Sequence, residues 1–99
     1  MTPLEKDYAK HVSYVYAIRT ERRDELREFL SKRGIATGIH YPVPVHLQEA
    51  YRSLGYRNGD LPVTEACCWT TLSLPMFPEL PKLDLGCVSD ALREFYKCA

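Results

Sequence analysis

Proline decides where regular structure can form in this 99-residue chain. Two prolines stand one residue apart in GIHYPVPVHLQ, at positions 42 and 44, and three more punctuate PMFPELP, at 75, 78 and 81. Each lacks an amide hydrogen and holds φ at about −65°, so neither stretch can continue a strand or a helix. Regular elements are confined to the segments before, between and after these two loops. Pro62 is a different case. At the first position of a helix its missing N–H does no harm, so it can open one.

Before the first proline loop, residues 11–19 (HVSYVYAIR) are rich in β-branched and aromatic residues and read as a strand. Val12, Tyr14, Tyr16 and Ile18 fall on one face and Ser13, Val15 and Ala17 on the other. Thr20 can cap a helix over 21–33, with Glu21 and Asp24 near its positive end, Leu26, Phe29 and Leu30 at helical spacing, and Gly34 as its stop. Residues 35–40 (IATGIH) read as a second strand, weakened by Gly38. Between the loops, 46–54 (HLQEAYRSL) carries an apolar stripe of Leu47, Ala50, Tyr51 and Leu54 and is expected to be helical. RNGD at 57–60 is a turn. A short helix runs from Pro62 to about 69, and 71–74 (TLSL) is a third strand stopped by Pro75. Residues 85–98 form a last amphipathic helix on Val88, Ala91, Leu92 and Phe95, with Gly86 arguing for a later start. Residues 1–10 carry little apolar pattern and read as an arm. The expected fold is α/β (α+β): a small three-stranded, mainly antiparallel sheet with helices packed on one face.

Hydrophobic residues make up 45% and charged residues 26%, which suits one soluble domain. Thirteen basic residues balance thirteen acidic ones, so charge offers no argument for nucleic acid or a membrane as partner. No apolar run approaches the ~20 residues of a membrane span. The polar start, MTPLEKDYAKH, is unlike a signal peptide, and a cytoplasmic protein is expected. Cysteines at 67, 68, 87 and 98 form no C-x-x-C pair and read as free thiols of a reducing compartment. His40, His46 and a cysteine match no zinc-ligand spacing, so no metal is expected.

The segment from His40 to His46 is the chemically distinctive one. Pro42 and Pro44 fix two φ angles and push Tyr41 and Val43 toward extended geometry. Such a loop loses little entropy on meeting a ligand. Tyr41 offers an apolar ring with a hydroxyl tip, and the two imidazoles can donate or accept hydrogen bonds near neutral pH. Sugars and phosphates are read by such groups. The same residues also fit a plain structural turn, in which the prolines end a strand and the histidines cap or pack. No nucleophile–base pair, glycine-rich phosphate cradle or paired carboxylates accompany them, so no catalytic residue is expected here. Ser73 is followed by Leu-Pro and not by a nucleophile-elbow glycine.

The succession RRDELREFLSKRGI, GIHYPVPVHLQEAY, LGY, LPVTEA and LSLPMFPEL resembles the C-terminal portion of DegT/DnrJ/StrS-type sugar aminotransferases. The resemblance runs from about residue 11 to the C-terminus, and HYPVPVH and LSLPMFP are its specific pieces. It implies the small domain of a fold type I, pyridoxal-phosphate-dependent transferase acting on nucleotide-linked keto-sugars. In that family a large preceding domain carries the cofactor, its Schiff-base lysine and the phosphate-binding groups. None of those motifs is present: Lys6, Lys10, Lys32, Lys82 and Lys97 lie in terminal or helical, charge-rich contexts. The resemblance therefore implies residues 1–10 as an interdomain arm and 11–99 as the small domain, with no cofactor bound by this part alone. Its partners would be the missing domain, a nucleotide-sugar substrate and a second subunit of a homodimer. Carried over by position, His40, Tyr41 and His46 would line the substrate side of the cleft, with Pro42 and Pro44 shaping the loop. Cys67-Cys68-Trp69 and Gly86 depart from the family pattern. The alternative is a free-standing α/β binding or regulatory module that uses an open sheet face.

Overall fold

Because Pro75 cuts the ladder, the sheet is short. In the computed structural model, which describes residues 4–12 and 14–97, β1 (Tyr16–Arg19) pairs antiparallel with β2 (Thr71–Leu74). The register sets Tyr16 against Leu74 and Arg19 against Thr71. Continuing it one step would set Val15 against Pro75, which explains why the first strand is four residues long and not the nine of the sequence expectation. Between the strands come α1 (Arg23–Ser31), two 3-10 turns (Val45–Leu47 and Glu49–Leu54) and α2 (Pro62–Thr70). After β2 comes α3 (Lys82–Lys97). The helix opened by Pro62 runs directly into β2.

Alternation along the strands places Tyr16, Ile18, Leu72 and Leu74 on one face. There Leu72 joins Leu26 and Leu30 of α1 and Ala91 and Phe95 of α3 in the buried core, with Ile18, Leu74, Phe29 and Leu92 packed at its edge. The Phe29 and Phe95 rings meet edge-on at 5.3 Å, and Arg33 pairs with Glu94 across the same helix contact. The opposite face of β2 carries Thr71 and Ser73, both buried.

The expected three-stranded sheet is corrected to two strands among the described residues. Of residues 35–40 only Gly38 bridges β2, exchanging two backbone hydrogen bonds with Ser73 at 3.0 and 2.7 Å. In that register the next bonded pairs would be Ala36 with Pro75 and His40 with Thr71. Pro75 has no N–H to give, and the Thr71 N–H is already donated to Cys67 at the end of α2. The bridge is therefore blocked on both sides.

The expected helix over 46–54 is also corrected. Gln48 is extended (φ −70°, ψ 144°) and splits the segment into two 3-10 turns. Its predicted apolar stripe is not a core face, since Tyr51 and Leu54 are exposed. Arg22 and not Thr20 precedes α1, although the Thr20 hydroxyl accepts the Arg22 amide at 3.2 Å. The last helix starts at Lys82, three residues earlier than expected, with Pro81 accepting from Leu85 and Gly86 tolerated inside. Residues 4–12 are exposed and hold no helix or strand. Residues 1–3 of the expected arm, Ser13 of the expected first strand and Cys98 of the expected last helix lie outside the described residues. Among the described residues no helix is long and apolar enough to cross a membrane.

Candidate functional site

The chain leaves β2 at the Gly38–Ser73 bridge and turns outward two residues later. The His40 imidazole folds back over Gly38, with Nδ1 2.8 Å from the Ser73 hydroxyl oxygen. A Cβ on Gly38 would come within 2.8 Å of His40 Cε1, so only glycine leaves the imidazole room to lie where it does. His40 is exposed on its outer side. The peptide joining it to Tyr41 is cis, and the two rings meet edge-on at 5.5 Å. Tyr41 is 70% exposed. His40 and Ser73 line a shallow cleft of about 260 Å³ together with Tyr14, Val15, Gly38 and Met76.

His46 goes the other way. Pro44 is buried and extended (φ −57°, ψ 139°) and turns the chain into the first 3-10 turn. That turn drives His46 inward, to 7% exposure. Its Nε2 lies 3.0 Å from Oε1 of Glu65, which is itself buried in the first turn of α2. Glu65 also accepts the Gly59 amide on both oxygens at 2.9 Å and more weakly the Leu61 amide at 3.4 Å. Gly59 holds φ at +95°, a conformation that suits glycine and lets the turn present its N–H to the carboxylate. One carboxylate thus ties the end of the proline loop to the 57–60 turn. Burial pushes the Glu65 carboxyl up. The hydrogen bond from His46, the Gly59 and Leu61 amides and the His46 charge outweigh this and hold it below its ordinary value.

The three sequence-selected residues are therefore divided. His40 and Tyr41 stand together at the surface, while His46 lies within, behind Pro44. Sequence reasoning missed Glu65 and Ser73. Glu65 looks like any acidic residue in a helical first turn, and nothing in the 19-residue separation announces its pairing with His46. Ser73 could have been found by alternation, since Leu72 and Leu74 point to the core and Ser73 must face the other side.

An acid-stability result follows from Glu65. Its folded-state pKa is lowered, so its contribution is present above the unfolded value of about 4.3 and is lost as pH falls through the lower folded value. Glu65→Gln is expected to be markedly less stable than the parent in urea at about pH 6, with the gap shrinking at about pH 3. Asp24 and Glu28, held low by hydrogen bonds from Arg23 and Lys32, contribute equally to both proteins. A gap that stays constant with pH would rule out a stabilising ionised carboxylate.

Among the described residues no three His, Cys, Asp or Glu side chains gather as a metal site. Pyridoxal phosphate requires a lysine amine presented in a sheltered pocket. Lys6, Lys10, Lys32, Lys82 and Lys97 are all exposed, and Lys32 is paired with Glu28 at 2.7 Å. The residues of this chain do not fit that group.

Comparison with known proteins gives a consistent picture. A sequence model described as the DegT/DnrJ/EryC1/StrS aminotransferase family matches residues 1–93. The "pleiotropic regulatory protein" of Geobacillus stearothermophilus is 47% identical over 98% of this chain and 26% of its own length. The dTDP-3-amino-3,4,6-trideoxy-alpha-D-glucose transaminase of Streptomyces venezuelae is 48% identical over 85% of this chain and 22% of its own length. The crystal structure of S. venezuelae DesV in complex with a ketimine intermediate superposes with a TM-score of 0.79, at 48% identity, over 82% of this chain and 22% of that one. A DegT/DnrJ/EryC1/StrS aminotransferase structure from Brucella abortus gives 0.75 at 40% identity, over 82% of this chain and 22% of that chain. The chain spans about a quarter of the length of these relatives.

Proposed function

We propose, since the chain belongs to the DegT/DnrJ/EryC1/StrS aminotransferase family, that it is the C-terminal small domain of a pyridoxal-phosphate-dependent enzyme that converts a nucleotide-linked keto-sugar into an amino sugar. On this reading residues 1–10 are the arm from a large fold type I domain that holds the cofactor and its lysine. The whole enzyme is a cytoplasmic homodimer. Residues 11–99 supply one wall of the substrate cleft. His40 and Tyr41 contact the nucleotide-sugar, Pro42 and Pro44 stiffen their loop, and His46 supports it from within through Glu65.

The observation that carries the reading is the His40–Tyr41 step. An aromatic ring 70% exposed, beside an imidazole already anchored on Ser73, buries little of its apolar surface inside this chain, its one ring contact among the described residues being the edge of His40. It makes sense as a preorganised contact for a ligand. The exposed aromatic surface supports a missing domain in the same way. Tyr14, Trp69 and Tyr16 are 81%, 51% and 37% exposed. Tyr16 also borders an apolar groove of about 370 Å³ with Leu74, Met76, Phe77, Leu85 and Leu92.

A chimera tests the proposal. The aligned segment of the S. venezuelae transaminase is replaced by this chain. The expected result is a protein that binds pyridoxal phosphate, seen by its absorbance, and transaminates the substrate of the unaltered enzyme. A chimera that binds the cofactor but has no turnover would sink the reading. The second reading is a free-standing binding or regulatory module; the name of the G. stearothermophilus relative favours its regulatory part, while that relative is itself about four times as long as this chain. DNA upstream of Met1 separates the two. A continuous frame of domain size encoding a cofactor lysine supports the enzyme, and a stop codon with a promoter supports the module.

A further inference from the structure

We propose that Ser73 and Gly38 are positioning residues for His40. Together they lock its imidazole in the Nε2–H tautomer and offer that N–H to an acceptor oxygen of the substrate. The inference rests on His40 being a substrate contact, as proposed above. Three observations carry it.

The first is the fixed position of the Ser73 hydroxyl. Ser73 is 5% exposed, and both its backbone groups are taken by Gly38. Its Cβ is therefore held in place, Oγ can move only among the staggered χ1 positions, and the ring must come to one of them. Oγ and Nδ1 lie 2.8 Å apart.

The second is the direction of that hydrogen bond. A buried hydroxyl hydrogen needs an acceptor. Among the described residues His40 Nδ1 is the one side-chain partner of Ser73 Oγ. If Nδ1–H donated instead, the hydroxyl hydrogen would have no acceptor among the described residues. Oγ–H therefore donates, Nδ1 accepts, and the single proton of the neutral imidazole sits on Nε2. Nε2 makes no hydrogen bond within the described residues, and the side chain is exposed. A donor on an exposed, anchored ring is suited to a phosphate or hydroxyl oxygen.

The third is Gly38. Its φ lies outside the left-handed region, so an alanine backbone is unstrained there. A Cβ would nevertheless meet Cε1 at 2.8 Å, Nδ1 at 3.4 Å and Nε2 at 3.6 Å. Glycine is present so that the imidazole can lie against the backbone and reach Ser73. An alanine would push aside a side chain and leave the bridge intact.

Long-range proton–nitrogen correlation spectra of the isotope-labelled chain test this, recorded with the histidines neutral and with His40 assigned from H40Q. The expected result is a single Nε2–H pattern for His40. In S73A it should relax to an average of both tautomers, and S73T should restore it. In G38A the pattern should also average, while the backbone amide spectrum stays that of a folded domain. An Nδ1–H pattern in the unaltered chain overturns the proposal, as does an Nε2–H pattern that survives S73A. These spectra need no substrate. If they come out as expected while H40A leaves the chimera's KM unchanged, positioning by Ser73 stands and the contact reading of His40 falls.

Discussion

Phe95→Ala is expected to cost the domain about 3–5 kcal/mol, the range for emptying a buried aromatic site. Total stability of a small domain is only about 5–15 kcal/mol, so this one change threatens the folded state. Phe95 is 6% exposed and closes the core between α3, α1 and Leu72 of β2. Its ring also meets Phe29 at 5.3 Å and Tyr96 at 5.0 Å, both edge-on, and the Arg22 guanidinium lies 4.3 Å from its centre. Alanine removes all of these at once. Urea unfolding followed by Trp69 fluorescence measures the loss. Tyr96→Phe is the control. It deletes only a hydroxyl that donates to Thr20 at an exposed site, and its expected cost is under about 1 kcal/mol. A Phe95→Ala loss no larger than that of the control would mean that α3 does not hold the sheet. The consequence reaches the site, because Leu72 is buried under Phe95 while its neighbour Ser73 anchors His40 from the other face of the strand.

How much of this was legible beforehand depends on the range of the interaction. The core residues of α1 and α3 were read from helical spacing, and Leu26, Leu30, Val88, Ala91 and Phe95 are buried as expected. The β2 strand was read to the residue, because Pro75 is a local stop. The failures lie where distant partners decide. Residues 35–40 have strand chemistry, but their pairing needed a free amide on Pro75 or Thr71, and the use of the Thr71 amide by Cys67 shows only in three dimensions. Residues 46–54 have a helical stripe, but the chain is extended at Gln48, and His46 is turned inward to pair with Glu65, nineteen residues away. The same contact divides the candidate site. Local sequence treats His40 and His46 as equivalent imidazoles flanking two prolines, and their different partners, Ser73 and Glu65, give them different work.

That division sets the second large effect. In the chimeric transaminase, His40→Ala is expected to raise KM for the nucleotide-sugar roughly tenfold to a hundredfold. This corresponds to about 1.5–3 kcal/mol for a hydrogen bond to a charged group such as a phosphate oxygen. The kcat should move much less, because a contact made equally in ground and transition states is uniform binding. Tyr41→Phe should give a smaller rise of about tenfold or less, since a neutral hydroxyl hydrogen bond contributes only about 0.5–1.5 kcal/mol. His46→Ala should behave differently. It leaves the Glu65 carboxylate buried with one partner fewer, so its main loss should appear as a lower unfolding midpoint, with KM rising only as the loop loosens. Steady-state kinetics beside thermal unfolding of the three variants separate these patterns. If His40→Ala lowers kcat and kcat/KM by the same factor and leaves KM unchanged, the imidazole acts in the transition state and not in holding the substrate. If His46→Ala raises KM as much as His40→Ala without loss of stability, the buried imidazole reaches the ligand directly. The inward and outward roles drawn from Glu65 and Ser73 would then be wrong.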